Sequence, residues 1–255
     1  ATGELVGEEA SKIGERVMHC NWSSPMVAKV DGKSTIFFGA GDGYLYSFDP
    51  KAKEDDEGFL VMPENWRVDG NLPAYRKDKD GKKIKYATFE GPSEYISSPV
   101  YHEGNVISLI GQDPEHGEGF GRMMSVNAKT GKVNWDYTEI ERGISTVSIA
   151  DGLVYGADYR GRVHCVDFKT GKPIWVYDTK SHIWGSTLVA DGKVFIGNED
   201  GEVVILKHGR KMEKVGLVEF SAPVYASPVI ANGVLYIASQ THLYAFKEGA
   251  KTASK

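Results

Sequence analysis

The residues best equipped for chemistry crowd into one loop. Gly111-Gln-Asp-Pro-Glu-His-Gly-Glu-Gly-Phe-Gly121 brings Asp113, Glu115, His116 and Glu118 within six residues. Hard carboxylate oxygens with one imidazole are ligands for a divalent metal. Their spacing fits neither an EF-hand nor a zinc pattern, and Pro114 among several glycines reads equally well as a rigid turn. A second set is scattered over several loops: His19, Trp22, Glu94, Tyr95, Arg142, Asp158, Arg160, His182, Trp184 and Tyr225. Aromatic rings and imidazoles beside guanidinium and carboxylate groups suit a ligand- or partner-binding face. The alternative is that the bulky residues only plug a channel. No Gly-x-Ser-x-Gly, P-loop, His-Glu-x-x-His or Cys-x-x-Cys-His motif occurs, so no catalytic residue is assigned. His164 falls within an apolar run and reads as structural.

Composition narrows the choices. The 255 residues carry a formal charge of −5, which excludes the basic face of a nucleic-acid binder. No apolar run approaches the roughly 18 residues of a membrane-spanning helix. Nor does the chain open on a basic-then-apolar signal segment. Ala1 stands where an initiator Met would, which reads as a processed, trimmed or cloned start. Cys20 and Cys165 fall in different repeats and read as small hydrophobes rather than a redox pair. The basic stretch Lys207–Lys214 reads as a solvated hairpin.

The elements that must position these loops repeat. A small hydroxyl residue opens a β-run at Ser24, Ser98, Thr146, Ser186 and Ser227. An Asp-Gly-like turn follows at Gly32, Gly104, Gly152, Gly192 and Gly233, and suits the type I′ hairpin, whose central residues both need positive φ. Gly-led third runs begin at Gly43, Gly121, Gly161 and Gly201, with a degenerate fifth at Thr241. The last three openings lie 40 and 41 residues apart, the period of one propeller blade. The chain is therefore expected to be all-β: a propeller of four-stranded antiparallel blades, about five of them, closed alone or part of a longer propeller. The blades are placed near 17–68, 93–137, 143–178, 182–220 and 222–247. Residues 1–9 are expected to supply an outer strand to the closing or preceding blade. Trp66, Trp135 and Trp175 recur on outer strands and are expected to fill gaps between blades. The 74 residues between the first two openings leave room for a polar insertion, 69–91. In a four-stranded meander the loops before each blade and those between its second and third strands emerge together. That rule gathers the ten scattered residues onto one face, with Trp22, Trp184 and Tyr225 at a channel mouth.

Lys169-Thr-Gly-Lys-Pro-Ile-Trp175, preceded by Val166-Asp167, resembles the blade signature of the pyrroloquinoline-quinone (PQQ) repeat family. Asn21–Pro25, Gly41–Tyr46, Gly111–Glu118 and Ala231–Gln240 resemble the secreted bacterial PQQ-binding-like β-propeller repeat proteins. The resemblance implies a propeller, with this chain's five or so blades part of an eight-bladed ring, and, by family habit alone, a periplasmic or secreted location. It does not carry the cofactor. Quinoprotein dehydrogenases set an adjacent cysteine pair against PQQ and hold Ca²⁺ with Glu and Asn, and that pair is missing here. The expectation is a non-catalytic extracytoplasmic scaffold without cofactor that binds a protein or small ligand on one face. The alternatives are a PQQ–Ca²⁺ or metal-dependent oxidoreductase and a polysaccharide-binding module.

Overall fold

The computed structural model describes residues 2–250. The chain divides between Ile144 and Ser145 into two compact units. The first holds two four-stranded sheets: Met26–Val30, Lys33–Gly39, Tyr44–Phe48 and Glu64–Asp69, then Val100–His102, Asn105–Leu109, Met123–Asn127 and Val133–Tyr137. The second holds two more, Ser148–Ala150 to Pro173–Asp178 and Leu188–Ala190 to Lys214–Glu219, then a three-stranded sheet, Val229–Ala231, Val234–Ala238 and Leu243–Phe246. Every one is an antiparallel meander whose strands follow chain order, and only the first is interrupted, between Tyr44–Phe48 and Glu64–Asp69, by two short strands of another sheet. The expected all-β propeller of about five blades is what the chain forms.

Three local rules build each blade. The turns between first and second strands carry the two positive φ values a type I′ hairpin needs: φ is 47° at Asp151 and 73° at Gly152, and Asp31, Glu103, Asp191 and Asn232 repeat the positive value beside their glycines. That twist matches the flanking strands. The glycine leading a third strand answers a different need. At Gly161 φ is 108°, and a Cβ would lie 2.2 Å from the Ser181 carbonyl oxygen, so the backbone passes where no side chain fits. The opening hydroxyls link neighbouring blades within a unit. The Ser24 amide donates to Ser98 Oγ at 3.1 Å, that of Thr146 to Ser186 Oγ at 2.9 Å, and that of Ser186 to Ser227 Oγ at 2.8 Å.

In the first two sheets of the second unit, second and third strands are buried along almost their whole length, as at Leu153–Ala157, because both faces of those blades are covered. Outer strands alternate, and Trp175 is their buried anchor. Its indole N–H donates to the Gly209 carbonyl at 2.9 Å, and Trp66 donates to the Ala128 carbonyl at 3.1 Å. Both tryptophans lock one blade to the next. In the first unit Phe37, Leu45, Tyr95, Ile110 and Met124 share one core. In the second, Tyr155, Trp175, Val194 and Leu206 share another.

The first nine residues differ from the expectation. Their only strand among the described residues is Glu8–Glu9, which pairs in parallel with Leu60–Met62 in a small sheet completed by Lys53–Glu54. Pro63 ends that strand, since it has no N–H to donate. The blade's fourth strand starts only at Glu64. Residues 70–99 then form the insertion, with the short helix Pro73–Arg76 and a Lys77–Lys83 bridge.

Candidate functional site

Within the second unit, loops from successive blades stack a run of rings. Tyr159 sits between Leu153–Ala157 and Arg162–Asp167, His182 and Trp184 precede Leu188–Ala190, and Tyr225 precedes Val229–Ala231. Tyr159 and His182 stack at 4.4 Å with 6° between their planes. Tyr159 meets Trp184 edge-on at 5.9 Å, and Trp184 meets Tyr225 at 5.0 Å. Glu199 ties the two ends together: its carboxylate lies 3.2 Å from His182 Nδ1 and accepts the Tyr225 hydroxyl at 3.3 Å. The backbone fixes the arrangement, with the Ile183 amide donating to the Tyr159 carbonyl and the Glu199 amide to that of His182. Burial, then the facing Glu199 carboxylate, raises the Tyr225 phenol. Trp184 Nε1 is buried and has no acceptor. All four rings remain partly exposed.

A second cluster lies in the first unit. Glu94 is fully buried, accepting the Tyr86 hydroxyl at 2.9 Å and the Cys20 amide at 3.3 Å, with His19 Nδ1 at 3.7 Å. Burial raises its carboxyl above the usual range against these three contacts. His19 packs near Trp22, Tyr86 and His116 at 6.1, 6.2 and 5.8 Å. Trp22 itself is 52% exposed.

Several expected face residues are structural instead. Tyr95 is a core side chain; its hydroxyl lies 3.2 Å from Ser108 Oγ, and Gly39 and Gly70 make room for its ring. Asp158 is buried and satisfied by Arg162 Nε at 2.9 Å and His164 Nε2 at 3.0 Å. Burial pushes its carboxyl up, but the His164 hydrogen bond and charge and then the Arg162 contacts win and hold it low. Arg142 is 1% exposed and braces loops through the carbonyls of Glu118, Thr88 and Phe89. Desolvation pushes its guanidinium down to about 10. Arg160 is exposed, in the loop that carries Tyr159. The loop expected to bind metal does not assemble a ligand set, since no three His, Cys, Asp or Glu side chains among the described residues converge on one point. Asp113 instead accepts the Glu115 amide at 2.9 Å and caps the 3-10 turn Pro114–His116, while His116 packs edge-on against Tyr86. Pro114 has won over the carboxylates.

Tyr159 and Glu199 complete the ring cluster. Tyr159 lies between the expected face residues Asp158 and Arg160, and Glu199 in the matching loop one blade on; only the stacking distinguishes them from other loop residues. The residues present do not fit PQQ as the dehydrogenases hold it. The chain's two cysteines, exposed Cys20 and buried Cys165, are not neighbours in sequence, so the adjacent thiol pair is absent.

Repeated blades carrying a loop-borne aromatic cluster define the class as a β-propeller of PQQ-like repeats. More specifically, the chain belongs to the family described as outer membrane protein assembly factor BamB, whose model matches residues 79–253, more than half of the chain. Among solved structures, BamB from Moraxella catarrhalis is similar at a TM-score of 0.65 and 15% identity, over 88% of this chain and 58% of that one. The chain thus spans little more than half the length of that relative. A chain of the mitotic checkpoint complex matches at a TM-score of 0.57 and 11% identity, over 84% of this chain and 60% of that one. The quinohemoprotein alcohol dehydrogenase ADHIIG from Pseudomonas putida HK5 matches at 0.50 and 14%, over 74% and 33%. These likenesses show the fold. No curated protein matches. Among the described residues no helix is long and apolar enough to cross a membrane.

Proposed function

We propose that the chain is a non-catalytic binding scaffold working outside the cytoplasm, which holds a protein partner on the Tyr159–His182–Trp184–Tyr225 ladder. The observation that carries this reading is the continuous run of four partly exposed rings, Tyr159, His182, Trp184 and Tyr225. A partner laid against the ladder would cover their exposed faces. Aromatic anchors of this kind dominate protein interfaces. The location and the kind of partner follow the family description, outer membrane protein assembly. The reading needs no PQQ, and calorimetric titration of PQQ with Ca²⁺ tests that part: heat of binding would reinstate the oxidoreductase.

The ladder is tested by passing a solubilised envelope extract over the immobilised chain and its Trp184→Ala variant. Loss of a hot-spot ring costs about 2 kcal/mol or more, so one bound protein should be depleted at least tenfold on the variant while its melting temperature stays within a few degrees. Equal retention by a folded variant removes the ladder as the docking surface.

A further inference from the structure

The insertion carries a second feature that the ladder does not explain. Its positive charges are concentrated. Arg76, Lys77, Lys79, Lys82, Lys83 and Lys85 crowd into ten residues against only Asp78 and Asp80. In a chain of net charge −5 this is a local excess of four positive charges (six minus two). The basic part folds into a tight hairpin. The Asp78 amide donates to the Lys82 carbonyl at 2.9 Å, that of Ile84 to the Arg76 carbonyl at 3.0 Å, and Lys77 stands directly opposite Lys83. Like charges opposite one another in a ladder are destabilising. Nothing offsets them here: no carboxylate pairs with either lysine among the described residues. Asp78, next to Lys77 in sequence, accepts the amides of Asp80 and Lys82 instead.

The two lysines and Arg76 rim a cavity of about 320 Å³ whose walls include Met18, Ile84 and Tyr86. The volume is that of a ligand pocket. Its lining is mixed, with apolar side chains beside two lysines that have no carboxylate partner among the described residues. Arg76 is no free phosphate clamp. Its Nε and Nη2 grip Asp69 at 2.6 and 2.7 Å, so the edge that would bind a phosphate bidentately is taken. Lysines at the rim act as point charges. They suit carboxylates flanking a side chain that enters the cavity.

We infer that this hairpin and its cavity bind an acidic peptide segment of a partner protein, one apolar side chain filling the cavity and flanking carboxylates neutralising Lys77 and Lys83. The inference deepens the scaffold reading with a second docking surface and shares no residue with the ladder, so the two fail separately.

The test pans a displayed library of random dodecapeptides on the full chain, with Lys77→Glu/Lys83→Glu as counter-target and Trp184→Ala as a control. The expected peptides carry excess Asp and Glu around a Leu, Ile, Met or Phe. They lose at least tenfold in affinity on the charge-reversed variant, weaken as salt rises and bind Trp184→Ala unchanged. Should charge reversal unfold the hairpin, Ile84→Ser supplies the second variant, and it should cost affinity with the lysines intact. Peptides without acidic excess, or ones bound equally by wild type and both hairpin variants, overturn the assignment. Peptides lost only on Trp184→Ala belong to the ladder and overturn it too. So does binding to vesicles containing phosphatidylglycerol that the lysine variant abolishes when no peptide is selected.

Discussion

Two buried carboxylates, Glu94 and Asp158, are shifted in opposite directions, and stability should depend on them with opposite sign. Glu94 is held above the ordinary value chiefly by burial. The unfolded chain therefore ionises there first, and this group's contribution falls as pH rises from the ordinary glutamate value, about 4.3, through the raised one. Glu94→Gln should gain stability over wild type at pH 7, and the gain should vanish below about pH 4. Asp158 is held low because His164 and Arg162 outweigh its burial. Its contribution is complete above the ordinary aspartate value, about 3.9, and is lost as pH falls through the depressed one. Asp158→Asn should cost about 3 kcal/mol at pH 7, as when one member of a buried pair is removed, and progressively less in acid. Urea denaturation of both variants across pH measures the two slopes, and parallel profiles would refute the opposition. Neither role was legible in the sequence. Glu94 and Asp158 occupy loops, where acids are ordinarily solvated, and their burial depends on Tyr86 and Cys20 in one case and His164 in the other. The loop Asp113–Glu118 misleads in the opposite direction: its composition suits a metal, but Pro114 and the Asp113 cap turn the side chains apart.

Elements were far more legible, because each blade is specified by signals local to it. The Asp-Gly turns, the Gly-led third strands and the outer-strand tryptophans all fall where the repeat places them, and each has an identifiable physical cause. The two kinds of glycine make separable predictions. At Gly152 φ is 73° and nothing lies within 4 Å of the place a methyl group would take, so Gly152→Ala should cost only the backbone term, about 1 kcal/mol. At Gly161 the positive φ coincides with the Ser181 carbonyl at 2.2 Å and Thr179 Oγ1 at 3.2 Å. Because the colliding atom is backbone, the loop itself must move. Gly161→Ala should cost about 3 kcal/mol, within the range of strained or overpacked sites. Thermal melts of the pair decide the matter: equal losses would mean that φ alone sets the requirement. The small sheet of Glu8–Glu9, Lys53–Glu54 and Leu60–Met62 escaped the repeat logic for a related reason. Its three short strands carry no turn signature of their own, and only Pro63 marks where the blade resumes.

At the scale of the molecule, repeated blades make stability a sum of local terms, and those terms are unequal. Leu153–Ala157 is buried at every position and paired on both sides, to Ser148–Ala150 and Arg162–Asp167. Val234–Ala238 holds the same place in its own sheet, also paired on both sides, yet only Ile237 is fully buried. Its neighbours Val229 and Leu243 are 55% and 71% exposed. With equal hydrogen bonding, the difference in opening free energy comes from apolar area kept from water, at roughly 25 cal/mol per Å². Two or three side chains left half-covered remove about 3 kcal/mol, which is about a hundredfold in the population of the open state. Native-state hydrogen exchange should therefore release the amides of Val234–Ala238 about a hundredfold faster than those of Leu153–Ala157. A bound partner that covers Tyr225, in the segment leading into this sheet, should narrow the gap by slowing the faster set alone. Equal rates in the free chain would mean that the terminal sheet draws its stability from something other than side-chain burial.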